Sequence, residues 1–130
     1  MSWNDLKAVV REKQSEKSCK PRQIWWTFWG ENIGQEQNGK GVQYLRPVII
    51  IKRYNYGLCF VAPLTTKIIF SKEYFTFRFS DKNDQIQSRV AMLNQVRVIS
   101  TKRLISKMGY VTEIDMFKGL IEKLSLLLFG

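Results

Sequence analysis

The apolar positions change period twice along the chain. Residues 2–17 carry Trp3, Leu6, Val9 and Val10 as a short stripe at helical spacing, with Ser2 and Asp5 spaced as a capping box. The polar run REKQSEKSCK (11–20) reads as a helix end and linker. From Arg22 the pattern turns to that of strands. RQIWWTFW (22–29) is apolar at almost every position, which predicts a strand covered on both faces. A polar, glycine-rich loop follows, and LRPVIIIKR (45–53) is the second predicted strand. Pro47 has no amide donor and belongs near a strand start or on an edge. YNYG (54–57) predicts a hairpin turn, with Asn55 and Gly57 suited to positive φ.

LCFVAPLTTK (58–67) predicts a third strand whose ladder Pro63 breaks. YFTFRFS (74–80) alternates, with Phe75, Phe77 and Phe79 on one face and Arg78 on the other. SDKNDQIQ (80–87) is a turn, and SRVAMLNQVRVI (88–99) is one long or two short strands. STKRLISKMG (100–109) reads as a short basic helix stopped by Gly109. Thr112 and Asp115, in capping-box spacing, open a C-terminal helix that places Phe117, Leu120, Ile121, Leu124, Leu127 and Leu128 at helical spacing. The expected fold is mainly β with α (α+β): five to six short strands in a small barrel or strongly bent sheet, a packed C-terminal helix and an N-terminal helical extension. Residues 1–20 form the extension and linker, and 21–130 a single domain.

Composition sharpens this picture. A chain of 130 residues, 45% hydrophobic, supports one ordinary core. Its 21 Lys+Arg against 11 Asp+Glu give a net charge of +10. That excess favours an acidic partner: nucleic acid, an anionic membrane or an acidic protein. The sequence has no histidine. The commonest general base, the usual zinc ligand and the serine-type triad are thereby excluded. Cys19 and Cys59, without a secretory signal, give no disulfide framework, so a cytoplasmic location is expected. Cys59 reads as a small core residue. The run LSLLLF (124–129) is too short to span a bilayer, so no membrane role is expected.

Chemistry concentrates around GENIGQEQNGKG (30–41), where Gly34, Gly39 and Gly41 let backbone approach a ligand. This is neither a Walker loop nor a dinucleotide fingerprint, and a plain surface loop fits it equally well. Arg46 adds a guanidinium at the base of the loop, a planar fork suited to phosphate. Pairing the second and third strands as a hairpin brings Thr65 and Thr66 beside it. Glu36 is a general base or an ion-pair partner of the arginine. Trp25, Trp26 and Phe28 belong to the core or an interface, and Trp29, at the strand end, remains for base stacking. Lys52, Arg53, Arg97, Lys102 and Arg103 line a groove or lie solvated.

In GENIGQEQNGKG with RPVIII (30–51), VAPLTTK (61–67) and SRVAMLNQVRVISTKRL (88–104), the chain resembles the MazF/PemK family of bacterial toxin–antitoxin toxins, longer-loop subgroup. The resemblance implies an SH3-like barrel, a homodimer, and metal-independent, cofactor-free cleavage of single-stranded RNA at short sequences. The RNA's own 2′-hydroxyl attacks, leaving a cyclic phosphate and a 5′-hydroxyl. It also implies an acidic cognate antitoxin that blocks the RNA groove. By position, Arg46 and Thr65 correspond to the family's catalytic arginine and threonine, and Glu36 to a loop acid implicated in catalysis in some members. Gln37, Lys40, Thr66, Lys67, Asn32 and Trp29 are the expected RNA contacts. Two departures stand out: Gly41 to Leu45 lengthen the loop, and Asn94 occupies a position where some members carry an acid proposed as base. Two alternatives are a non-catalytic barrel that binds nucleic acid or protein, and a topoisomerase-type inhibitor.

Overall fold

The computed structural model describes residues 18–31 and 43–130. The helix expected over 2–17 and most of the glycine loop lie outside the described residues. Among those described, strands β1 (Gln23–Glu31), β2 (Gln43–Tyr54), β3 (Leu58–Thr65), β4 (Tyr74–Asp81), β5 (Ile86–Met92), β6 (Arg97–Ser100) and β7 (Leu104–Tyr110) precede helix α1 (Ile114–Phe129). All strand pairs are antiparallel. The order β2-β1-β7-β4-β5-β3-β6 returns on itself, because β2 also pairs with β3.

The continuous apolar runs are explained by two cores. Ile24, Ile49, Ile51, Ala62 and Leu64 enter the main cluster with Phe77, Phe79, Leu93, Leu120 and Leu124. Their strand neighbours Trp25, Val48, Ile50, Cys59 and Val61 enter a second cluster with Cys19, Ile99 and Leu104. Alternate side chains of a strand point to opposite faces, so covering both faces demands apolar residues at successive positions. Helix α1 closes the main cluster with Leu120 and Leu124, flanked by Met116, Phe117 and Ile121. Its last residues, Leu126 to Phe129, are exposed, so Leu127 and Leu128 lie outside both cores. Phe77 and Phe79 are buried while Arg78 is exposed, as the alternation in this strand requires.

Several sequence expectations are corrected. Seven strands lie among the described residues, because residues expected as a basic helix (100–109) form only a 3-10 turn, Thr101–Arg103, before β7. Pairing with β1 and β4 outweighs the local preference of this segment. Gly109 serves a close approach and not a helix stop: a Cβ there would lie 2.1 Å from the Ser80 carbonyl oxygen. Pro63 does not break its strand. It pairs with Val48, and lies where the other edge of β3 passes from β6 (last partner Val61) to β5 (first partner Leu64). A residue without an amide donor fits that gap. In the β2–β3 turn the positive φ values belong to Tyr56 (63°) and Gly57 (69°), not Asn55. Helix α1 is capped at Glu113 without a side-chain bond, so the Thr112–Asp115 capping box does not form. Residues 88–99 resolve into two short strands separated by a 3-10 turn at Leu93–Gln95.

Gly109→Ala should lower the urea midpoint by the equivalent of about 3 kcal/mol, since backbone must move to admit one methyl group. An unchanged midpoint would show that β4 and β7 separate freely. Tyr56 is almost fully exposed, so its left-handed backbone has no compensating packing. Tyr56→Gly should therefore raise stability by about 1 kcal/mol in the same assay.

Candidate active site

The site begins with strand register. β2 and β3 pair Tyr54 with Leu58, Arg53 with Cys59 and Lys52 with Phe60. A one-residue shift at Ile51 then gives Ile50 with Val61, Ile49 with Ala62 and Val48 with Pro63. The paired register ends at Val48 and Pro63; extended by two residues it aligns Arg46 with Thr65. Without the shift Arg46 would align with Thr66. A bulge of this kind re-aims the side chains beyond it.

Here a cleft of about 290 Å³ opens. Trp26 of β1, residues 44–47 of β2, residues 64–66 at the end of β3, Arg89 of β5 and Met108 of β7 line it. Arg46 is half-buried. Its Nη1 donates to the Leu64 carbonyl at 3.3 Å and approaches the Met92 sulfur at 3.9 Å. Its Nη2 donates to the Tyr44 hydroxyl, and the guanidinium carbon lies 4.8 Å from the centre of the Tyr44 ring. Among the described residues, the only ion pair is the exposed Arg78–Glu113 contact, so Arg46 is held by neutral acceptors. Burial lowers its pKa from the ordinary arginine value. A partly dehydrated guanidinium with spare donors is well suited to an incoming oxyanion.

Thr65 presents the second polar group. Its Oγ1 accepts the Lys67 backbone amide at 3.2 Å. That bond occupies one lone pair and leaves the hydroxyl hydrogen available. Thr66 shares the cleft wall, whereas the exposed Lys67 joins the site through its backbone. Glu36, Gln37, Lys40 and Asn32 lie outside the described residues. Asn94 points elsewhere: its amide donates to the Glu73 carboxylate at 2.7 Å.

Trp29 does not line the cleft. The Arg97 guanidinium covers its ring at 3.7 Å from the centroid and donates to its carbonyl. Arg103 donates to the neighbouring Phe28 carbonyl at 3.3 Å. Burial, and then the charge of Arg103, lower the pKa of Arg97. The exposed aromatic of the cleft is instead Trp26, at 38% exposure. Tyr44 and Arg89 also line the cleft, though neither was expected there from the sequence. Tyr44, two residues before Arg46, had a readable signal, because alternate residues of a strand share a face. Arg89 had none without the fold. No group of three His, Cys, Asp or Glu among the described residues gathers to hold a metal ion. No helix among them is long and apolar enough to cross a membrane.

With this geometry in place, comparison with known proteins becomes informative. Solved structures with the same fold include a MazF from Deinococcus radiodurans, with TM-score 0.63 and 18% identity over 88% of this chain and 99% of that one. The Mycobacterium tuberculosis toxin MazF-mt6 aligns with TM-score 0.58 and 19% identity, over 81% of this chain and 94% of its own. A mycobacterial endoribonuclease in complex with its cognate antitoxin aligns with TM-score 0.62 and 13% identity, over 85% and 95%. The search of curated proteins finds no match. The family model described as PemK-like, MazF-like toxin of type II toxin–antitoxin system matches residues 20–126, and the chain belongs to that family.

Proposed function

We propose that this chain is a metal-independent endoribonuclease toxin that cuts single-stranded RNA by attack of the RNA's own 2′-hydroxyl. The observation that carries the reading is Arg46: a half-buried guanidinium beside Thr65, held by neutral acceptors, in a cleft whose described lining includes no carboxylate. Attack forms the 2′-oxygen–phosphorus bond and breaks the bond to the 5′-oxygen. The products are a 2′,3′-cyclic phosphate and a 5′-hydroxyl.

The pentacoordinate phosphorus carries more negative charge on its non-bridging oxygens than the starting diester. Arg46 stabilises that charge, and the Thr65 hydroxyl donates to one of those oxygens. Groups aimed at developing charge accelerate chemistry without reorganising. An arginine retains its proton near neutral pH, so the base that removes the 2′-proton is another group. Glu36, in the loop between β1 and β2, takes that role. Gln37, Lys40 and Asn32 of that loop contact RNA, together with Thr66 and Lys67. Trp26 offers the stacking surface that Trp29, covered by Arg97, does not.

The wider family reading follows the same chemistry. A cognate antitoxin, such as the mycobacterial endoribonuclease is found with, would cover this cleft, and an acidic one suits its arginines. The sheet order that returns on itself supports an SH3-like barrel over residues 21–130, with 1–20 as an extension. The exposed apolar end of α1 supports a homodimer, and the cytoplasm is where such an RNA substrate is found.

Incubation of the purified protein with a long defined RNA in EDTA should yield cuts at a few short motifs, bearing cyclic phosphate ends. Arg46→Ala should lower kcat/KM by about 10²- to 10³-fold. Arg46→Lys, which keeps the charge but loses the fork, should cost about 10-fold. Thr65→Val should fall between these while leaving KM nearly unchanged, the signature of a contact made at the transition state. Folded protein that binds RNA without cutting it would replace this reading with a binding module.

A further inference from the structure

Cys19 and Cys59, distant in sequence, meet in the second core cluster. Both are buried free thiols packed in that one cluster. Arg53, the ladder partner of Cys59, converges on the same point. Its Nη1 lies 3.6 Å from the Cys19 sulfur and 3.5 Å from the Cys19 carbonyl oxygen. Two small apolar core residues would satisfy packing at these positions; a guanidinium directed at one sulfur serves a thiolate. The electrostatics divide the pair. The neighbouring Cys59 thiol, and after it the Arg53 charge, lower the Cys19 pKa to about 6 against the opposing effect of burial. The proximity of Cys19, with burial, pushes Cys59 up, so it keeps its proton. One nucleophilic sulfur with one protonated neighbour is the arrangement that oxidises stepwise.

We propose that Cys19 and Cys59 form an oxidisable dithiol, a modification site at which a peroxide closes a disulfide between the segment preceding β1 and strand β3. The Cys19 thiolate attacks one peroxide oxygen, the O–O bond breaks, and hydroxide leaves Cys19 as a sulfenic acid. The Cys59 sulfur then attacks the Cys19 sulfur. Its proton and the sulfenic hydroxyl leave as water. In sum, two thiols and one hydrogen peroxide give one disulfide and two waters. Access is through Cys19, which is buried but flanked by exposed Ser18 and Lys20. The bond closes a loop containing β1, β2 and the turn between β2 and β3, so it restricts the unfolded chain and raises thermal stability. Thr65 lies six residues along β3 from Cys59, roughly 20 Å at strand rise. The inference is thus independent of whether the cleft cuts RNA.

The test treats reduced full-length protein with a small excess of hydrogen peroxide, then follows intact mass, linked peptides and melting temperature. The expected result is loss of two hydrogens, a Cys19–Cys59 linked peptide, and a Tm raised by roughly 5–15 °C that a reductant reverses. Cys19→Ser and Cys59→Ala should each abolish the shift. Arg53→Gln should keep the fold, judged by its reduced melting curve, yet slow alkylation of Cys19 several-fold at neutral pH. Two thiols that stay alkylatable after peroxide would overturn the proposal. So would oxidation that adds oxygen to either sulfur without linking them, or disulfides between chains.

Discussion

The β2–β3 hairpin carries two demands at once. Both of its strands bury side chains on both faces, in the main cluster through Ile49, Ile51, Ala62 and Leu64 and in the second through Val48, Ile50, Cys59 and Val61. In such a strand a one-residue slip exchanges every side chain between two differently shaped interiors. The register is therefore held by packing along its whole length, and the single shift at Ile51 is held with it. Extended beyond its last pair, the shifted register aligns Arg46 with Thr65 rather than Thr66. The placement of the candidate chemistry is thus a consequence of how the two cores are filled, several residues away from the cleft itself.

A half-buried arginine is costly unless its donors are occupied. Here a carbonyl and a phenol occupy some of them, and among the described residues no carboxylate pairs with the charge. A carboxylate partner would satisfy the same donors and cancel the charge that a phosphorus-centred transition state needs. Neutral acceptors hold the side chain in place without that loss. The same economy appears at the end of β1, where Arg97 and Arg103 are held by the carbonyls of Trp29 and Phe28. The chain's basic excess includes fixed guanidinium groups, and a surface of this kind selects an anionic partner.

The sequence made the hairpin, the Arg46–Thr65 neighbourhood and the Phe75–Phe79 face readable, because each depends on a short-range period or turn. β7 was hidden because Ser100–Gly109 has the composition of a basic helix, and only the partners β1 and β4 make it a strand. Gly109 illustrates the ambiguity: a glycine after a polar run suits a helix end as well as a contact with Ser80 across the sheet. The shift at Ile51 left no mark either, since isoleucine suits every position in VIII. Trp29 was assigned by its place at a strand end, but Arg97, far along the chain, took its ring face. The cysteine pair escaped for a similar reason: counting cysteines says nothing of which two the fold brings together.

What remains for the loop is constrained by its anchors. Glu31 and Gln43 are ladder partners, so the connection between β1 and β2 leaves and returns at one point. That point stands three residues from Arg46 on β2, about 10 Å at strand rise. Glu36 follows Glu31 by five residues, and an extended chain of that length spans at most about 18 Å. Covalent geometry alone therefore allows the Glu36 carboxylate to reach the phosphorus site beside Arg46. Lengthening the loop adds little closure cost, since that cost grows only with the logarithm of length. The expected lengthening between Gly41 and Leu45 goes in part into strand, because Gln43, Tyr44 and Leu45 belong to β2 and pair with Glu31, Gly30 and Phe28. In the proposed reaction the strands hold the arginine that meets the developing charge, and the loop carries the acid that takes the proton.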